Sequence, residues 1–276
     1  MTILGSSGLT GADFGKGFRQ GTKEDYGQVG SGGLGRGRKA RELYPLALDV
    51  DFHRETFAGA LDTNIWTAAQ VGGGSNFALR TNDPAGSLVR GTTGAVAGNG
   101  VELNGARQFL GDLNCGLQIA FRTDTVSPFK FEMGFVDVQT SKATLNDSAI
   151  GVPTFGNGVG DLVQIAMDTT QALTTMAFEG LNSDGAVAWT SGWTLGSVAQ
   201  TPKPTVSQWM ICRIQLEGDA AHAFIWDNTG APVAEAHRAV AIEGGTVLFP
   251  FAQFFTTGAA VNVDLSTFHR WQDQAQ

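Results

Sequence analysis

The chain is poor in charge, cysteine and proline. Of its 276 residues only 16% are charged, two are cysteines and eight are prolines. Two cysteines are too few for a disulfide framework. Cys115 and Cys212 both have apolar neighbours in sequence, and neither lies in a metal-ligand spacing, so we read them as buried free thiols. Histidine is scarce as well. His53, His222, His237 and His269 are dispersed, with no ligand spacing along the chain, and structural roles are expected for all four. Neither a metal nor a cofactor is expected. No run approaches the roughly 18 apolar residues that span a membrane. The first residues, MTILGSSGLTG, lack the basic and apolar stretches of a secretory leader, and none is expected. Helical periodicity is also missing, so no helix beyond a turn or two is expected.

What is abundant is glycine, at 38 residues, and phenylalanine, at 18. Short apolar runs of period two recur, bounded by Gly, Asn, Asp and Ser, the pattern of an all-β chain. The clearest is SQWMICRIQLEGDAAHAFIWDNTG, over 207–230. Met210, Cys212, Ile214 and Leu216 fall at every second place and should face a core. Trp209, Ile211, Arg213 and Gln215 fall between them, nearer solvent. Glu217-Gly218-Asp219 makes a turn, and a second run over 220–227 puts His222, Phe224 and Trp226 on one face with Ala223 and Ile225 on the other. After Asn228-Thr229-Gly230 and Pro232, which suits a strand start, a third run covers 233–238. We expect a three-stranded antiparallel meander inside a two-sheet antiparallel sandwich, with Phe224 and Trp226 joining the core beside Met210, Cys212, Ile214 and Leu216. Further strands are expected over 76–81, 86–91, 100–104, 117–123, 129–139, 162–168, 173–179, 247–256 and 261–271. In 129–139, Phe131, Met133 and Phe135 alternate with Lys130, Glu132 and Gly134. A long loop is expected over 141–160 and an irregular excursion, holding Trp189 and Trp193, over 180–204.

Residues 1–45 differ in character. They hold twelve glycines and seven Lys or Arg against four Asp or Glu, a surplus of three positive charges. The remainder holds 11 against 22, a surplus of eleven negative ones. An acidic body argues against direct nucleic-acid binding. We expect residues 1–45 to be an extended, glycine-rich basic arm with little core of its own. It should dock on a partner through apolar anchors, Phe14 and Phe18, and a basic patch, Arg36, Arg38, Lys39 and Arg41. Its GxG spacings follow no strand and precede no Lys-Ser/Thr, so they do not form a phosphate loop. The folded body, 46–276, begins with the cleanly alternating LALDVDFH.

The order LDTNIW, then PFKFEMGFVDV, then WMICRIQLEGDAAHAFIW, then LFPFAQFFTTGAAVNVDLSTFHRW resembles the concanavalin A-like, laminin-G-like jelly roll, in the form found in tailed-phage virion proteins. The resemblance covers roughly 46–272, leaves out the arm, and has the early strand end near Trp66. It implies a jelly-roll sandwich. Fold alone does not assign function. Some members of this fold cleave glycans, and retaining glycosidases need two carboxylates about 5–5.5 Å apart. Glu132 and Asp137 sit at an odd spacing, on opposite faces of a regular strand, and Glu132 reads as a solvated strand carboxylate. No catalytic residue is assigned. Lectin members bind sugar through Asp and Asn with a stacking aromatic, often with calcium. The corresponding candidates are Asn146, Asp147, Asn157, Asp161, Asn182 and Asp184 with Trp189 and Trp193, although no compact calcium-loop run is present.

Together these features lead us to expect a non-enzymatic virion structural protein, a capsid decoration or cement protein docking through its arm. Its partners would be other virion proteins, the major capsid protein or tail proteins, with self-association a further option. The alternative is a carbohydrate-binding or tail host-attachment module with a glycan partner.

Overall fold

The computed structural model describes residues 66–80, 88–105, 109–111, 114–127, 129–138, 158–169, 176–183, 187–195, 198–199 and 204–272. The expected arm at 1–45 and the run LALDVDFH at 46–53 lie outside them. Among the described residues every regular element is a strand, and they form two antiparallel sheets packed face to face.

The first sheet has eight strands. Its path runs β1 (Trp66–Val71), β4 (Gly100–Gly105), β16 (Val247–Thr256), β7 (Phe129–Val136), β8 (Leu162–Asp168), β9 (Ala177–Asn182) and β10 (Val187–Ser191), with the short β5 (Phe109–Leu110) also on β16. The second sheet has nine, in the order β12 (Val198–Ala199), β11 (Thr194–Leu195), β15 (Pro232–Arg238), β14 (Ala220–Trp226), β13 (Met210–Glu217), β6 (Gly116–Thr123), β17 (Asn262–Trp271), β3 (Leu88–Thr93) and β2 (Gly74–Arg80). The expected meander is β13–β14–β15. Gly218 supplies the positive φ, +64°, of its first turn.

Two expectations are corrected. β1 starts at Trp66, and the early strand expected to end near it lies outside the described residues. The excursion over 180–204 is partly regular, since β10 pairs along β9 and β11 pairs with β15. Phe224 and Trp226 do not join the main core. Met210, Cys212, Ile214 and Leu216 do, but the inward residues of β14 are Ala221, Ala223 and Ile225. Phe224 and Trp226 stack on the opposite, outer face of the nine-stranded sheet with Ile211, their rings 5.7 Å apart. Bulk misled the reading: the smaller residues face inward because the space between the sheets is already filled by phenylalanines. Phe121, Phe131 and Phe254 meet there at 4.6–5.6 Å.

Arg213, expected nearer solvent, is also buried on the outer face. Its guanidinium donates twice to Gln118 Oε1 and lies over Trp226 and Trp271, at 5.2 and 5.8 Å. Cys115 and Cys212 are buried free thiols, as expected, and burial pushes the Cys212 pKa up.

Candidate functional site

The face of the eight-stranded sheet turned away from the core is polar. Phe131, Met133 and Phe135 of β7 point into the core, so the alternation turns Lys130, Glu132 and Gly134 outward. Antiparallel register then brings Glu102, Gln253 and Glu132 into one row across β4, β16 and β7. The next row holds Asn104, Phe251, Gly134, Gln164 and Glu179, across β4, β16, β7, β8 and β9. Gly134 is required there by close approach: a Cβ on it would lie 1.9 Å from the Val163 carbonyl oxygen.

Each glutamate is coupled to an amide on this face. Asn104 Nδ2 donates to Glu102 Oε1 at 2.6 Å, and Gln164 Nε2 to Glu179 Oε1 at 3.0 Å. Gln253 Nε2 donates to Glu132 Oε2, while Lys130 Nζ lies 3.3 Å from Glu132 Oε1. Glu132 is therefore not the solvated carboxylate expected of it. It is fully buried, and Glu102 is only 2% exposed. Buried carboxylates persist where they are paired and hydrogen-bonded, and this face meets that condition.

The same-face carboxylates absent along β7 are thus supplied across strands, by Glu102 and Glu132 on either side of Gln253. Two strand spacings, about 9.5 Å, separate their backbones. Asp137 lies just past β7. Its Oδ2 accepts from the Gly160 and Asp161 amides at 2.9 and 3.1 Å. Burial raises its pKa against those two bonds.

The lectin candidates among the described residues are used internally. Trp189 and Trp193 are core residues, packed on Phe178 at 5.1 and 6.2 Å. Asn182 is buried on β9. Asp161, 2% exposed, ties a corner of the sandwich together. It accepts from the Glu243 amide at 2.8 Å, the Ser183 amide and hydroxyl at 3.3 and 2.5 Å, and the Thr246 hydroxyl at 3.3 Å. Asn146, Asp147, Asn157 and Asp184 lie outside the described residues, as do Phe14, Phe18, Arg36, Arg38, Lys39 and Arg41. Among the described residues no group of three His, Cys, Asp or Glu could hold a metal ion.

Near the corner that Asp161 ties, apolar side chains face water. Val187 is 48% exposed, Val240 51% and Val247 39%, and Leu110, directly opposite Val247 in the β5–β16 register, is 37% exposed. This rim was not foreseen, because in sequence each of these residues is only one of many isolated aliphatic positions. The row Glu102–Gln253–Glu132 needed strand pairing that period-two reading alone does not provide.

No family model matches the chain, and no curated protein matches it in sequence. Solved structures do match in fold. A legume lectin-like domain from Entamoeba histolytica is 9% identical with a TM-score of 0.50, covering 76% of this chain and 91% of that one. The VIP36 exoplasmic/lumenal domain, in a Ca2+/Man3GlcNAc-bound form, is 10% identical with a TM-score of 0.50, covering 77% and 85%. A protein reported with endo-acting O-glycanases of the human gut microbiota is 10% identical with a TM-score of 0.51, covering 83% and 100%. Identities this low speak to architecture alone, and the architecture is the legume-lectin, concanavalin A-like jelly roll.

Proposed function

We propose that the chain is a non-enzymatic structural protein that docks onto a larger protein assembly through residues 1–45. The sequence resemblance makes that assembly a tailed-phage virion, with a decoration role on its capsid. The observation that carries the reading is a set of exposed apolar side chains, Leu110 opposite Val247 with Val187 and Val240, on segments next to those that Asp161 ties together. Exposed apolar side chains suit a protein partner. The charge contrast between a basic arm and an acidic body adds a second, separable attachment.

Deleting residues 1–40 should leave a folded body by circular dichroism and abolish incorporation into particles. Val240→Asp with Val247→Asp should weaken incorporation of the otherwise intact chain by roughly tenfold or more. Normal assembly of both variants would sink the reading. Release of reducing sugar from a glucan and galactan panel, lost in Glu132→Gln, would overturn its non-enzymatic part.

A second reading is carbohydrate recognition. It is favoured by the likeness in fold to the legume lectin-like domain and to the Ca2+/Man3GlcNAc-bound VIP36 domain, and not by the polar face, whose carboxylate–amide pairs are buried. Its test is a glycan array with the full chain: a hit supports it, and a blank array removes it.

A further inference from the structure

Four histidines dispersed in sequence become, in space, at least one pair. His222 on β14 stands directly opposite His237 on β15. The flanking Ala221 and Ala223, and Ala236, face the core, so both imidazoles project from the outer face of the nine-stranded sheet. Their ring centroids are 4.5 Å apart with planes inclined at 46°. His237 is exposed and His222 half-buried.

We propose that His222 and His237 form a binding site for a divalent transition-metal ion of the imidazole-preferring class, copper, nickel or zinc. Rings 4.5 Å apart bring two imidazoles within reach of a single ion, which binds a histidine nitrogen at about 2.0–2.1 Å. Imidazole suits these metals, and copper heads their affinity order.

The rings are held in advance. Strand pairing fixes their backbones, and Phe224 lies parallel to the His222 ring, at 6.3 Å and 6°. The Ser191 hydroxyl donates to the His237 carbonyl, joining β10 to this strand. Preorganisation lowers the entropy lost when an ion binds.

The surrounding charge favours a cation. On the same face the charged neighbours are Glu235 on β15 and, on β13, Glu217 and Arg213, the last with its guanidinium turned onto Gln118, while Gln215 stands opposite His222. Arg238 turns away, over the ring of Trp189 at 5.6 Å. Among the described residues no third His, Cys, Asp or Glu completes the site. Water fills the other coordination positions, and the site remains open to a further donor.

The test is calorimetric titration of the untagged full chain with nickel chloride and with copper sulfate, at pH 7.5. The inference requires one site per chain at pH 7.5. It should weaken tenfold or more, the order of loss seen when a supporting residue is removed from a metal site, in each of His222→Gln and His237→Gln. A His53→Gln/His269→Gln control should bind as the unaltered chain does. Circular dichroism confirms that the variants fold, and exposed His237 is the one least able to disturb folding. Binding that persists in both single variants, that disappears in the control, or that is absent from the unaltered chain at 100 μM metal would each overturn the assignment.

Discussion

Replacing Lys130 by Met is expected to cost the fold about 3–5 kcal/mol, because it removes the cation from a buried ion pair. The Lys130 side chain is 7% exposed and that of Glu132 is not exposed at all, with Nζ and Oε1 3.3 Å apart. Water is not at hand to replace the ammonium. Gln253 still donates to the other carboxylate oxygen. The double variant Lys130→Met/Glu132→Leu should recover much of the loss, since a buried pair replaced by apolar groups is often neutral. Urea unfolding of the four members of the cycle measures this directly. A Lys130→Met chain as stable as its parent would show that Glu132 is solvated after all.

Trp189→Ala is expected to destabilise the body by about 3–5 kcal/mol, the usual range for deleting a buried aromatic. Sequence position alone allowed this tryptophan to be a sugar-stacking platform on a loop. In the structure it packs edge-on against Phe178 at 5.1 Å, and its indole Nε1 donates to the Ala241 carbonyl at 3.0 Å. Trp193 repeats the arrangement from the next turn of chain, with Nε1 donating to the Met176 carbonyl at 2.7 Å. Truncation removes packing and also leaves a buried carbonyl without its donor, whereas Trp189→Phe keeps part of the packing and should cost less. Thermal unfolding ranks the three chains. Should Trp189→Ala leave stability unchanged while abolishing binding to a glycan, the platform reading would return.

Much of the architecture could be read from alternation. The inward set of β13 and the alternation of Phe131, Met133 and Phe135 against Lys130, Glu132 and Gly134 are found as expected. Alternation names two faces but does not say which is the core. On β13 one set is uniformly apolar, and it is the inward one. On β14 both sets contain apolar residues, and the inward ones are the smaller Ala221, Ala223 and Ile225. The polar row and the histidine pair were illegible for a different reason. Their members lie far apart along the chain, and only register across strands brings Glu102 beside Gln253 or His222 beside His237. Asp161 illustrates a third limit. A loop aspartate and a corner that gathers two amides and two hydroxyls look the same in one dimension.

The two sealed thiols have a practical consequence. Cys115 and Cys212 lie on or beside central strands with no exposed surface, and the Cys212 sulfur is held in its unreactive protonated form by burial. An alkylating reagent reaches them only when the sheets part. The rate of labelling in native buffer therefore reports how often the unaltered sandwich opens, without a fluorophore, a denaturant or an engineered probe.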